Sequence, residues 1–262
     1  MTGQIRRGRA FATLMLVLSA VLYAASAMGA GAEPAGTALR MNTLTDAWLA
    51  YNGQHDEGAA LYSFISLTST RTMALEKRKS ILKELDDIDW RLENSGLMTL
   101  RETLKQWQQG LAGVDDFRFP GRWDLASVLS KPVGVPPLER VATLGNCSPP
   151  DWVEVWDSRG INRYRWHSGQ ALSSLLDEHK LELGRAGRVA VVTPSGSISR
   201  LGLQAWNFAD ASLVPGSRVV ASLPLRGQAF PWLRDAIARF LSYVPPGDRC
   251  NVVSINHSGV TR

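Results

Sequence analysis

The stretch DWVEVWDSRGINRYRWHSGQALSSLLDEH, residues 151–179, decides how the second half of the chain folds. Residues 151–156 and 161–166 are rich in Trp, Val, Ile and Tyr, and the Asp-Ser-Arg-Gly segment between them has the composition of a turn. Ser168 is a residue type that caps helices, and it precedes a segment, 169–179, that we predict as a helix. The stretch therefore predicts two antiparallel strands followed by one helix.

Three more strands are predicted downstream. Residues 188–193 and 198–203 flank a Pro-Ser-Gly-Ser bend, and residues 217–222 follow the turn dipeptide Pro215-Gly216. Two strands, a helix and then further strands is the chain order of a β-grasp unit, in which a small sheet wraps around a single helix. We predict such a unit over residues 151–224.

The bend between the strands of the second hairpin is predicted to be architecture and not an active centre. Pro194 and Gly196 are turn formers, and Gly196 suits the positive φ that a tight hairpin needs. Ser195 does not lie in a G-x-S-x-G motif, and it lacks the strand–turn–helix setting that presents a nucleophile. Trp206 is expected to seal the edge of the core, and Asn207 to hydrogen-bond the loop that follows it.

One face of the first hairpin combines aromatic and charged residues. A loop at residues 157–160 would place three pairs opposite each other: Trp152 and Arg165, Glu154 and Arg163, Trp156 and Ile161. Alternation along the strands then groups five side chains on the face opposite the core. These five residues, which we call the hairpin face, are Trp152, Glu154, Trp156, Arg163 and Arg165.

Two interpretations of the hairpin face remain open. Indoles stack on the apolar faces of sugars and arginines hold carboxylates or phosphates in a bidentate manner, so the face would suit an acidic glycan. Alternatively, Trp152 stacks under Arg165, Glu154 pairs with Arg163, and the face packs on the neighbouring domain or on the C-terminal helix.

The remainder of the chain is predicted to form an N-terminal domain with a helical hairpin, a C-terminal helix and a tail. Residues 59–111 lack Pro and carry apolar residues at helical spacing, which predicts a helical hairpin that breaks at residues 94–96. This hairpin lies within a predicted N-terminal domain, residues 33–147. Residues 229–245 are predicted to form an amphipathic helix too short to span a bilayer, and residues 246–262 form a tail.

The N-terminus has the pattern of a targeting segment. Arg6, Arg7 and Arg9 precede an apolar run and small residues, so residues 1–32 are predicted to be a cleaved secretory signal peptide. The alternative is an uncleaved anchor, because the run approaches the ~20 residues that span a bilayer.

Cleavage removes three arginines and no acidic residue, so the formal charge falls from +5 to +2. The rest of the chain holds no basic block, which argues against nucleic acid as a partner.

Cysteine and histidine usage limits the chemistry further. Cys147 and Cys250 are the two cysteines of the chain, and both follow the predicted signal peptide. In an oxidising compartment we expect them to form a disulfide; two buried free thiols are the alternative. The four histidines lack the spacing of a zinc site, and no Gly-rich phosphate loop is present, so we predict neither a metal ion nor a cofactor.

Four runs of the second half resemble the C-terminal half of GfcC-like capsule-biosynthesis proteins. The runs are VEVWDSRGINRYRWHSGQALSSLLDEH (153–179), VAVVTPSGSISRLGLQAWN (189–207), LVPGSRVVASLPL (213–225) and WLRDAIARFLSYVPP (232–246). The resemblance implies an exported Gram-negative protein with two β-grasp domains similar to those of polysaccharide-export proteins, called SLBB-like. It also implies a helical insertion in the first domain and an amphipathic helix at the C-terminus. Residues 33–41 leave room for only one strand before the insertion, so the first domain departs from the family pattern.

The resemblance implies a function in capsule or exopolysaccharide assembly. We expect a periplasmic accessory protein that binds glycan or a partner in the secretion machinery without catalysis. Gly121-Arg122 resembles a Gly-Arg pair of the family, which makes Arg122 a candidate binding residue. The alternatives are an enzyme in which Arg122 grips an anionic group beside a carboxylate acid or base, and an adaptor that uses a strand edge or the C-terminal helix.

Overall fold

The structure, a computed structural model, describes residues 42–54, 59–93, 97–131, 133–181, 187–225, 228–229 and 231–255. The predicted signal peptide and the predicted helix break at residues 94–96 lie outside the described residues. Within them the chain forms six α-helices, two larger sheets and one two-stranded hairpin, so the predicted α+β class is confirmed. None of the described helices is long and apolar enough to cross a membrane.

The first half of the described chain is mainly helical. Its elements are α1 (Leu44–Asn52), β1 (Ser63–Leu67), α2 (Thr70–Glu93), α3 (Met98–Ala112), α4 (Leu125–Ser130) and β2 (Val141–Cys147), with short 3₁₀ turns at Ala60–Tyr62 and Leu138–Arg140. Thr43 caps α1, because its hydroxyl accepts from the Asp46 N–H while the Asp46 carboxylate accepts from the Thr43 N–H. α2 and α3 are the two helices of the predicted hairpin, and Leu85 and Leu104 lie in the buried cluster that they share.

The second half forms a five-stranded sheet. Its elements are β3 (Trp152–Asp157), β4 (Gly160–Arg165), α5 (Leu172–Glu178), β5 (Arg188–Val192), β6 (Ile198–Gly202) and β7 (Arg218–Ala221). The strand order is β4-β3-β7-β5-β6; β3 and β7 run parallel, and the other neighbours run antiparallel. The five predicted strands and the helix among them are therefore present.

Helix α5 begins three residues later than predicted. Gly169 has φ +76, and Ala171 is extended with φ −100 and ψ 163, so neither residue belongs to the helix. Ser168 therefore does not cap α5. The Ala171 N–H instead donates to the Ser174 hydroxyl of the first turn, at 3.0 Å.

The C-terminal segment completes a second sheet. After β7 the chain forms β8 (Pro224–Leu225), β9 (Gln228–Ala229), α6 (Pro231–Leu241) and β10 (Cys250–Ser254). β10 lies in the segment predicted as a tail, and it pairs antiparallel with β2, which also pairs antiparallel with β1. α1 packs on this three-stranded sheet, where Trp48, Ile65 and Leu144 share a buried cluster.

Helices cover both faces of the five-stranded sheet. On one face Val153 and Val219 pack with Leu175 of α5. On the other face Val192 and Val220 share a buried cluster with α2, α3 and α6. The apolar side of the predicted amphipathic helix, α6, therefore packs inside the protein, where Leu233, Ile237 and Phe240 are buried.

Two glycine turns shape the strands of this sheet. The Gly196 N–H donates to Thr193 O at 2.8 Å, and Gly196 has φ +83, as expected for a three-residue hairpin loop. The Ser195 hydroxyl contacts that of Thr193, and among the described residues no histidine or carboxylate hydrogen-bonds to it. Gly216, with φ +78, follows Pro215 and donates its N–H to Trp152 O at 2.7 Å before β7 begins.

The predicted disulfide between Cys147 and Cys250 is confirmed. The two residues are partners in the register of β2 and β10, and they are 103 residues apart in the chain. The closed loop contains the whole five-stranded sheet and α6. The crosslink therefore fixes the last described strand onto a sheet whose other strands lie before that loop.

Replacing both cysteines tests the contribution of the crosslink. We expect Cys147→Ala/Cys250→Ala to lower the free energy of unfolding by about 3–5 kcal/mol, because the long loop is then open in the unfolded chain. Urea titration followed by tryptophan fluorescence measures the change. A reducing agent should lower the wild-type midpoint and leave that of the double variant unchanged; a wild-type midpoint that ignores reduction would contradict the prediction.

Candidate functional site

The hairpin face has the predicted register, but most of it is covered. β3 and β4 place three pairs opposite each other: Trp152 and Arg165, Glu154 and Arg163, Trp156 and Ile161. Trp152 and Glu154 are each 7 % exposed and Trp156 is 3 % exposed. The side of the face on β4 is open, since Arg163 and Arg165 are exposed. The indoles therefore pack inside the protein, in line with the second interpretation of the sequence.

Helix α3 covers the Trp156 end of the hairpin face. Trp107 lies edge-on to Trp156, with ring centroids 5.7 Å apart. Gly110 faces Ile161, and a Cβ at Gly110 would lie 2.3 Å from Ile161 Cδ1, so the missing side chain lets the helix approach the sheet. A Trp156→Ala change would leave a cavity under α3 and cost about 3–5 kcal/mol of stability, so it cannot isolate a contribution to binding.

Arg163 connects the hairpin face to the chain that follows α6. Its guanidinium donates to Glu154 Oε2 at 3.0 Å and to both carboxylate oxygens of Asp248, at 2.8 and 3.2 Å. It also lies over Trp152, 4.2 Å from the ring centroid. The second interpretation of the sequence places Arg165, and not Arg163, over this ring. Burial acts to lower the pKa of Arg163, but attraction to Glu154 and Asp248 outweighs burial and raises the pKa above its ordinary value.

Glu154 is the buried anion of this network. Its Oε1 accepts a hydrogen bond from Trp156 Nε1 at 2.8 Å and lies 3.5 Å from Arg218 Nε. Arg218 is itself 4 % exposed, and its Nη2 donates to Pro245 O at 2.9 Å. Burial lowers the pKa of Arg218, although attraction to Glu154 opposes that effect. One buried carboxylate is thus shared by two guanidinium groups.

This network forms one wall of a cavity of about 810 Å³. The residues of that wall are Glu154, Trp156, Arg163, Arg218 and Asp248. The three-stranded sheet contributes Phe64, Ser66, Thr143 and Val252, and exposed positions in the helical half contribute Arg71, Asp115 and Asp116. The volume falls in the range of roughly 300–1,000 Å³ in which proteins bind small molecules. Trp152 and Arg165 are not among the lining residues.

Arg122 lies outside this cavity. Its side chain is 51 % exposed and contacts Asp124 Oδ2 at 3.3 Å. Asp124 caps α4, since its carboxylate accepts from the N–H and the hydroxyl of Ser127. Burial acts to raise the pKa of Asp124, but these hydrogen bonds and Arg122 outweigh it and lower the pKa. The structure therefore brings Arg122 to a helix cap and not to the other candidate residues.

Arg118 is a buried cation that the sequence analysis missed. It is fully buried, its Nη1 donates to Pro194 O, and its backbone N–H donates to Tyr243 O at 2.7 Å. Burial, and then the charge of Arg218, lower the pKa of Arg118 to about 9, so it stays protonated at neutral pH. Among the described residues, Arg118 Nε and Nη2 and Arg218 Nη1 are buried without a hydrogen-bond partner. The Phe-Arg-Phe order at residues 117–119 is the only signal of its burial in the sequence.

The prediction that Trp206 seals the core edge is wrong. Its side chain is 79 % exposed. A turn follows β6, in which the Asn207 N–H donates to Gln204 O at 2.9 Å, and this turn carries the indole away from the sheet. Asn207 Oδ1 accepts from the Gln204 N–H at 3.0 Å, so Asn207 binds the preceding loop residue and not the loop that follows.

The comparisons leave the family open. No protein-family model matches the chain, and no curated protein sequence matches it. Within the described part of the chain, no three His, Cys, Asp or Glu side chains are grouped so that they could hold a metal ion. The function must therefore be argued from the cavity itself.

Two matched substitutions test how the network is held. Glu154→Gln should lower the free energy of unfolding by about 3–5 kcal/mol, because it leaves the buried Arg218 without its carboxylate. Asp248→Asn should cost less than about 1 kcal/mol, because the Asp248 side chain is 54 % exposed. Urea titration of both variants measures the difference. Equal losses would show that Glu154 is not the centre of the network.

Proposed function

We propose that this chain is an exported accessory protein of capsule or exopolysaccharide assembly that binds an acidic glycan segment in the cavity without catalysis. The observation that carries the proposal is the group of three arginines that line the cavity: Arg71 and Arg163 are exposed, and Arg218 is buried. The resemblance to GfcC-like proteins supplies the biological setting. The disulfide supports export to an oxidising compartment, for which we propose the periplasm.

We also propose that residues 151–224 are a β-grasp domain. The proposal is supported by the strand order β4-β3-β7-β5-β6, in which β7 lies parallel to β3 between two antiparallel hairpins. It is further supported by α5, which follows the first hairpin and packs on one face of the sheet. The cavity lies against the other face.

Arginine N–H groups would supply the contacts to an anionic sugar. A guanidinium has five N–H donors, and Arg163 uses three of them in the bonds to Glu154 and Asp248. Arg71, which also lines the cavity, donates to Asp115 O at 3.0 Å. The remaining donors of these two exposed arginines suit a uronic acid carboxylate or a sugar-linked phosphate.

The carboxylates of the network argue for binding over catalysis. Hydrolysis of a glycosidic bond needs one carboxyl group that donates a proton and a second that attacks or activates water. Glu154 accepts bonds from Trp156 and Arg163, and Asp248 accepts bonds from Trp152 and Arg163. Both groups therefore already hold an arginine and an indole N–H of the protein itself, which argues against a role as proton donor or nucleophile.

The edge of β10 favours a protein partner as a second candidate function. β10 is the last strand in the order β1-β2-β10, and Val252 and Val253 are 51 % and 36 % exposed. An edge with exposed apolar residues can accept a strand from another chain. α6 is less suited to an adaptor, because most of its apolar residues, among them Leu233, Ile237 and Phe240, are buried within the protein.

Calorimetric titration of the purified chain with alginate oligosaccharides tests the cavity. We expect binding at 0.15 M salt, and about tenfold weaker binding for Arg71→Gln and for Arg163→Gln, which corresponds to about 1.4 kcal/mol each. Arg200→Gln is the matched control, because Arg200 is a half-exposed arginine that pairs with Asp235 outside the cavity.

Two results would contradict the proposal. If both cavity variants bind at wild-type strength, and their thermal midpoints match that of the control, the glycan binds outside the cavity. New reducing ends after incubation of alginate with the wild-type chain would show catalysis.

A further inference from the structure

We propose that Trp206 and the groove beside it form a second carbohydrate contact, one that takes uncharged sugar rings. Trp206 is the most exposed tryptophan of the described residues, at 79 %. The proposal rests on glycan binding as the general function, but it concerns a different surface, on the α5 side of the five-stranded sheet. A single exposed apolar residue is ordinary, so the argument depends on how this one is held.

The loop holds the indole in one orientation. Trp206 Nε1 donates to Gln204 Oε1 at 2.7 Å, and the backbone of Gln204 is held in turn by two hydrogen bonds with Asn207. The N–H of the indole is therefore occupied within the loop. The faces of the ring remain for contact with a ligand, and a ring fixed before binding loses little entropy on binding.

Gly202 makes this loop possible. A Cβ at Gly202 would lie 2.1 Å from the backbone oxygen of Asn207, so the loop folds back onto β6 only where the side chain is missing. The Ala209 N–H donates to Gly202 O at 3.1 Å and closes the loop. The loop that carries Trp206 therefore requires glycine at position 202.

A groove of about 580 Å³ adjoins the loop. Leu203 and Phe208, which flank the loop in the sequence, line it together with Asp177 and Lys180. One carboxylate and one ammonium group provide hydrogen bonds for sugar hydroxyls without a net charge. This lining differs from that of the cavity and favours an uncharged pyranose, whose apolar face stacks on an indole.

Lys180 is held at the groove at a conformational cost. It has φ +49 and lies just after α5, where the Leu181 N–H donates to Leu176 O at 2.9 Å. This is the left-handed position that ends a helix, and glycine is its usual occupant. Lysine at this position places an ammonium group where glycine would leave only backbone.

Calorimetric titration with neutral hexasaccharides tests the inference, with maltohexaose, cellohexaose and mannohexaose as probes. We expect the wild-type chain to bind at least one of them and Trp206→Ala to bind it at least tenfold more weakly. Trp206→Phe should recover part of the loss, because the smaller ring still stacks. Trp90→Ala is the matched control, since Trp90 is 66 % exposed on α2. The thermal midpoint of Trp206→Ala should equal that of wild type.

The two carbohydrate sites fail in different ways. Trp206→Ala should keep wild-type binding of alginate oligosaccharides, and Arg71→Gln should keep wild-type binding of the neutral probe. Wild-type binding of alginate with no binding of any neutral probe would overturn this inference and leave the cavity proposal standing. Undiminished neutral binding by Trp206→Ala would also overturn it, whereas neutral binding without alginate binding would overturn only the cavity proposal.

Discussion

The carboxylate of Glu154 is the point at which the separate parts of this molecule meet. It lies on β3 and holds Arg163 of β4, Arg218 of β7 and the indole of Trp156. Through Arg163 the network reaches Asp248, two residues before the disulfide-bonded Cys250. A buried carboxylate is costly unless its hydrogen bonds are complete, so the position of each of these partners is fixed by the others. The side chains of this cavity wall are therefore held in fixed positions.

Two glycines and the disulfide shape the elements that line the other sides of the cavity. α3 reaches the sheet because residue 110 is a glycine, and the Phe64 ring lies over Gly145, where a Cβ would be 2.5 Å from Phe64 Cζ. The disulfide then holds β10, which carries Val252 of the lining, on β2. Gly110 therefore brings the helical hairpin close to the five-stranded sheet, while Gly145 and the disulfide act within the three-stranded sheet that contributes to the same cavity.

Local signals made much of the fold predictable, and long-range packing accounts for the rest. The register of β3 and β4 follows from a four-residue turn and strict alternation, and the disulfide follows from the presence of two cysteines. Alternation shows which residues share a face, but it carries no information on what covers that face. The sequence therefore leaves two interpretations of Trp156 open, an exposed binding surface or burial by another element, and the structure shows burial by α3. Arg118 and the strand β10 give almost no local signal, because their partners lie more than seventy residues away in the chain. Trp206 shows the converse error, since a large apolar side chain does not by itself predict burial.

The two carbohydrate surfaces proposed here differ in the physical term that would drive binding. In the cavity, the guanidinium groups of Arg71 and Arg163 would bind an anionic group, and the network around Glu154 sets the position of Arg163. At Trp206 the contact is an apolar ring face in water, which gains free energy by removing surface from solvent and depends little on charge or salt. A polysaccharide that alternates acidic and neutral residues offers both kinds of group along one chain. Two modest contacts joined by such a chain bind together more tightly than either alone, provided that the spacing of the sugars matches the distance between the surfaces.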